Sequence, residues 1–192
     1  MELLNAASSV GVQSFVRRRL ATVAACVLTL AAVSAPAQTP PLEYGVKATY
    51  LYKFAPFIEW PAGTFASASD PLVICVVGSD PVADLVDEAV KGQVISAHAI
   101  DVRHLEGSAR GARCHILYIA LRGPAAAGAL DSVRGTPVLT VTDSARDAGG
   151  IVNFVVQDNH VRFEINLHAA AENHLVISSK LLNLATRVSP KP

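Results

Sequence analysis

Six histidines, a serine–lysine pair and a glycine-containing turn are the parts of this chain whose residue types could do chemistry. His98, His104, His115, His160, His168 and His174 form neither an H-x-x-x-H nor an H-E-x-x-H pattern. Those are the spacings that place two imidazoles on one helix face, with or without a general base between them. His168 and His174 are six apart, which puts them on opposite sides of a continuous helix. Ser178, Ser179 and Lys180 offer a hydroxyl close to an amine. Serine at a helix start is more simply an N-cap, with the lysine exposed behind it. The sequence therefore points to no catalytic residue, no metal set and no cofactor.

Gly78, Ser79 and Asp80 stand where a buried strand would hand over to a helix, the place at which α/β sheets bind ligands outside the carboxyl ends of their strands. They make the best small-molecule site in the chain, although such turns also serve merely to reverse direction, and the Asp80 carboxylate would repel an anion.

The elements that position this turn are legible in the pattern. Leu72 to Val77 is apolar throughout, as expected of a central strand covered on both faces. Asp80 and Pro81 then read as N-cap and first residue of a helix whose buried face is Val82, Leu85, Val86, Ala89 and Val90. Val94 to His104 is a strand, broken or whole, whose alternation suggests an edge with one wet face. Cys114 to Ala120 and Pro137 to Val141 are further buried strands around an alanine-rich helix from Pro124 to Val133. Such an order predicts an α/β domain with a mainly parallel central sheet, flanked by helices on both faces through right-handed crossovers. Ile151 to Val156 and His160 to Ile165 predict a C-terminal antiparallel hairpin, turning at Gln157, Asp158 and Asn159. A terminal helix is predicted from Ser178, with Leu181, Leu182, Leu184, Ala185 and Val188 on its apolar face.

Ahead of the first strand, Val46, Tyr50, Phe54, Phe57 and Ile58 recur at helical spacing, and Pro56 should end or kink that helix. The segment is rich in aromatic residues. Tyr50 and Tyr52 cannot both face inward, and surface tyrosine and tryptophan anchor protein interfaces. A partner surface is thus expected on this helix, at Tyr52 and Trp60, or in the C-terminal half, at Arg162, Glu164, Ser179 and Lys180.

Arg17, Arg18 and Arg19 precede an uncharged run from Leu20 to Val33, shorter than the roughly twenty residues a bilayer-spanning helix needs, and then Ser34, Ala35, Pro36 and Ala37. This pattern predicts a signal peptide over residues 1–37, cleaved after Ala37, leaving a single domain over residues 38–192. Val23 to Cys26 loosely resembles a lipobox but lies too close to Arg19 for an apolar core to fit between. Three of the sixteen basic residues and one of the sixteen acidic ones leave with the leader, so the remainder carries about −2 charges. No basic stripe marks a nucleic-acid partner, and no later apolar run would insert in a membrane. Export gives the two remaining cysteines meaning. In an oxidising compartment an isolated pair such as Cys75 and Cys114 is more often bridged than free, closing a loop that stabilises the fold by roughly 3 to 4 kcal/mol.

The blocks GVKATYLYKFAPFIEWP from Gly45, CVVGSDP from Cys75, CHILYIA from Cys114 and VRFEINLHAAAENHLVISSKLLNLATRV from Val161 resemble the YfiR family. That resemblance implies a periplasmic, non-enzymatic repressor. It would bind the periplasmic sensor region of an inner-membrane diguanylate cyclase of the YfiN type and keep cyclic di-GMP low. It also implies a homodimer, sequestration by a peptidoglycan-binding outer-membrane lipoprotein of the YfiB type, and redox sensitivity through a disulfide at Cys75 and Cys114. A second disulfide of the family has no counterpart, because residues 149–165 contain no cysteine. The alternative from the residues alone is a periplasmic small-molecule binding module that uses the Gly78 turn.

Overall fold

The computed structural model describes residues 42–67, 69–143 and 149–190. The expected leader, with Cys26 and the cleavage position after Ala37, lies outside them. Leu42–Lys53 forms helix α1, and a 3-10 turn over Ala55–Phe57 leads into the two-residue strand β1, Ile58–Glu59. The helix stops three residues before Pro56 because a proline there would remove a donor and push its ring against the carbonyl four residues back. The buried positions of this segment are Lys47, Ala48, Leu51, Tyr52, Phe54, Ala55 and Ile58. Val46, Tyr50 and Phe57, expected on the buried face, are half-buried instead.

Strand β2 (Leu72–Val77) is buried at all six positions. A 3-10 turn at Ala83–Leu85 and a short helix α2 (Val86–Val90) replace the single helix expected after Pro81. Ser96 and Ala97, both with positive φ, split the next expected strand into a hairpin of β3 (Val94–Ile95) and β4 (His98–Leu105). Then follow β5 (Ile116–Ile119), α3 (Gly123–Asp131), β6 (Leu139–Asp143), β7 (Val152–Gln157) and β8 (His160–Asn166). The hairpin of β7 and β8 turns on Asp158 and Asn159, both at positive φ.

The final segment departs from the sequence expectation. Asn166 caps a helix α4 (Leu167–Glu172) by accepting from the Ala169 amide, and β9 (Val176–Ile177) pairs antiparallel with β1. The predicted terminal helix is one turn, α5 (Ser179–Leu182), capped by the Ser178 hydroxyl. Beyond it the chain becomes β10 (Arg187–Ser189), which pairs parallel with β8. A longer helix would have left the outer edge of β8 without backbone partners, and edge pairing wins over the apolar spacing of Leu184 and Val188.

The large sheet runs β10-β8-β7-β6-β5-β2-β4-β3, parallel from β4 through β7 and antiparallel at the β3–β4 and β7–β8 pairs. Alternation sends Leu72, Ile74 and Val76 into one core, with α1, α2, Phe154 and Phe163. Val73, Cys75 and Val77 enter a second, smaller core under α3. The architecture is thus a mixed α/β domain with a mainly parallel centre and a C-terminal antiparallel strand pair.

Candidate functional site

The carboxyl ends of β2, β5 and β6 open into a cleft of about 890 Å³ that the first turns of α1 close from the other side. Topology puts it there. From β2 the chain crosses to β4 on one flank and returns to β5 on the other, with α2 and α3 on opposite faces, so the crossovers diverge between β2 and β5. Gly78 leaves β2 with φ +85°, and a Cβ there would stand 2.7 Å from Leu121 Cδ2, so glycine is required for the close approach of the two strand ends.

Asp80 Oδ1 accepts from the backbone amides of Val82 (3.0 Å) and Ala83 (2.7 Å), and its Oδ2 accepts from the Tyr118 hydroxyl at 2.8 Å. The carboxylate thereby holds the turn closed and ties it to β5. On the α1 side, Lys47 is 2% exposed, and its Nζ donates to Glu43 Oε1 at 2.6 Å and to Asp143 Oδ2 at 2.7 Å. Burial alone would push the ammonium down. The hydrogen bonds and charges of Asp143 and Glu43 outweigh that effect and hold it above its ordinary value, so Lys47 is a buried cation. Ser79 and Arg122 stand exposed on the rim.

Lys47, Asp143 and Arg122 were not among the sequence candidates. Lys47 heads an alternative helical row of Lys47, Leu51, Phe54 and Ile58, spaced four, three and four. A lysine on an apolar row is the signal that could have found it. Asp143 closes β6, two residues beyond the end expected at Val141.

On the α3 face of the sheet, Cys75 in the middle of β2 is joined to Cys114, just ahead of β5, in a disulfide with their Cα atoms 5.7 Å apart. His115 beside it is buried, and the Val73 amide donates to its Nδ1 at 3.0 Å, which places the proton of the neutral ring on Nε2. Its ring stacks on Phe65 at 4.1 Å, and Phe65 also stacks on His98 at 4.4 Å. Burial pushes the His115 imidazole below its ordinary value, against the hydrogen bond to the Thr64 backbone that pulls the other way.

The profile of a family described as YfiR/HmsC-like matches residues 44–186, nearly all of the described domain. The chain belongs to the YfiR/HmsC-like family. No curated protein matches it. Among the described residues, no helix is long and apolar enough to cross a membrane, and no group of three or more histidine, cysteine or carboxylate residues could hold a metal ion.

Within this YfiR/HmsC-like domain the expected partner contacts fall into separate places. Tyr52 is only 6% exposed, turned into the core by the row that buries Leu51, and so it is not a surface anchor in this conformation. Trp60 is half-buried against Phe65 and His115, with its indole Nε1 buried and unbonded among the described residues. Ser179 and Lys180 are exposed on α5, just after β9, the partner strand of β1. Arg162 and Glu164 lie on the face of β8 opposite buried Phe163, and Glu164 meets Arg187 of β10 at 3.5 Å.

Proposed function

We propose that this protein is a periplasmic regulator that binds the sensor region of an inner-membrane diguanylate cyclase of the YfiN type and holds it inactive, lowering cyclic di-GMP. The observation that carries this reading is the YfiR/HmsC-like match across residues 44–186. Families of this kind act by binding rather than by catalysis, and this chain works in that way as a non-enzymatic protein. The leader over residues 1–37 takes it across the inner membrane and is removed, leaving the domain of residues 38–192. The disulfide between Cys75 and Cys114 is in keeping with an oxidising compartment.

The contact surface is drawn from the candidates that are exposed or half-buried. Arg162 and Glu164 on the outward face of the β7–β8 hairpin offer a charged strip, and Trp60 with Ser179 and Lys180 offers an aromatic and a cation around the β1–β9 ribbon. The protein acts as a homodimer, and a YfiB-type lipoprotein in the outer membrane relieves the repression by sequestering it.

Deletion of the gene tests the reading directly, and cellular cyclic di-GMP should rise. Affinity purification of the tagged protein from membranes should recover a GGDEF-domain protein. Unchanged cyclic di-GMP together with no recovered cyclase would overturn the proposal.

A further inference from the structure

The cleft at the ends of β2, β5 and β6 carries charges that the described residues do not neutralise. Asp80 is engaged by its own turn and by Tyr118. Among the described residues Glu43 and Asp143 share a single ammonium, that of Lys47, so this trio keeps one negative charge in a place where Asp143 is only 13% exposed. Lys47 is 98% buried from solvent by the same measure, and its two ion-pair bonds use two of the three ammonium protons. On the opposite rim the Arg122 guanidinium has no ion pair or side-chain hydrogen bond among the described residues, and neither has the Ser79 hydroxyl.

An unneutralised carboxylate and an unpaired guanidinium therefore open on one cavity whose volume is of the order of those that hold small molecules. Each rules out a simpler guest. A metal ion is excluded from the space between the two carboxylates, because the Lys47 ammonium already occupies it at 2.6 and 2.7 Å. A plain anion would meet Arg122 but also three carboxylates, those of Glu43, Asp80 and Asp143. A plain amine would satisfy the carboxylates and be repelled by Arg122 and Lys47. A molecule with both charges a few bonds apart complements the whole set.

We propose that this cleft binds a small zwitterion of the free amino-acid class, its ammonium received by Glu43 and Asp143 and its carboxylate by Arg122 and the Ser79 hydroxyl. Lys47 acts as a positioning residue, holding the two carboxylates apart on the α1 and β6 sides. The site is independent of the cyclase reading, since binding is measured on the purified protein without any partner.

The test is a thermal-shift screen of the mature chain against each proteinogenic amino acid, with putrescine as the amine-only probe and succinate as the carboxylate-only probe, followed by calorimetry of any hit. At least one amino acid should raise the melting temperature, and neither probe with charges of one sign only should do so. Arg122→Ala should weaken binding by about tenfold or more, the loss of one charged donor, while the ligand-free melting temperature stays that of the parent. Arg122→Lys should keep part of the affinity, and Arg110→Ala, an exposed arginine of the β4–β5 loop that does not line the cleft, all of it. The proposal is overturned if no amino acid shifts the melting temperature, if Arg122→Ala binds like the parent, or if putrescine or succinate does as well as the amino acid.

Discussion

The two faces of the central sheet are held by different means. One packs aromatic residues against aromatic residues: Tyr50 and Phe54 of the α1 segment meet Phe154 and Phe163 of the hairpin, with ring centroids 5.2 to 6.2 Å apart. The other lies under α3, whose buried contribution is Ala126 and Ala129, with Val133 just beyond the helix, and there the disulfide crosses between β2 and the start of β5. Large rings remove much apolar area from water per residue, whereas alanine removes little. The face with the smaller side chains is the one with a covalent link. Strand alternation forces this division: Cys75 sits between Ile74 and Val76, so its sulfur points to the α3 face by the same rule that sends theirs to α1.

Removing a ring from the larger core should have the greatest effect. Phe54→Ala should lower stability by about 3 to 5 kcal/mol, measured by chemical denaturation. A loss under about 1 kcal/mol would mean that the neighbouring rings collapse into the space and that this face does not depend on its aromatic cluster.

Breaking the link on the other face comes next. Cys75→Ser with Cys114→Ser should cost roughly 3 kcal/mol, and adding reductant to the parent protein should lower its melting temperature similarly. If the double variant melts like the parent, the smaller core is sufficient by itself and the contrast between the faces disappears.

A pH effect is the smallest of the three and arises beside the disulfide. His115 has a folded-state value below its ordinary one, so the native state binds fewer protons than the unfolded chain between the two values. That contribution is complete above about pH 6.5, the ordinary histidine value, and is lost as pH falls from there through the lowered value. His115→Asn keeps an acceptor for the Val73 amide and has nothing to protonate. Melting curves from pH 7.5 to 4.5 should show a shallower acid decline for the variant. Parallel declines would remove His115 as the cause.

How much of this was readable beforehand depended on whether local pattern and tertiary contact agreed. Leu72 to Val77 is apolar at every position and can be little else than a covered strand, and the order of strands and helices after it led to the parallel centre. The Asp158–Asn159 turn announced itself through residue types that tolerate positive φ. Leu181, Leu182, Leu184 and Val188 were misleading, since helical spacing says nothing about the unpaired edge of β8 that captures Arg187 to Ser189. The position of the cleft followed from the strand-to-helix turn at Gly78, but its membership did not. Lys47 and Asp143 lie 96 residues apart, and only the packing of α1 across the strand ends brings them together.

The short ribbon of β1 and β9 has a consequence for the order of events during folding. Ile58 pairs with Ile177, and the Ser178 amide donates to the Phe57 carbonyl at 2.9 Å, so the exit from the first helix is fastened by residues near the far terminus. A chain emerging N-terminus first presents α1 and its aromatic rings long before their last partners arrive. Until the closing residues are delivered, Ile58 and Glu59 lack the strand that fastens the exit from α1, and a product truncated before Leu175 would keep its aromatic partners but lose that fastening.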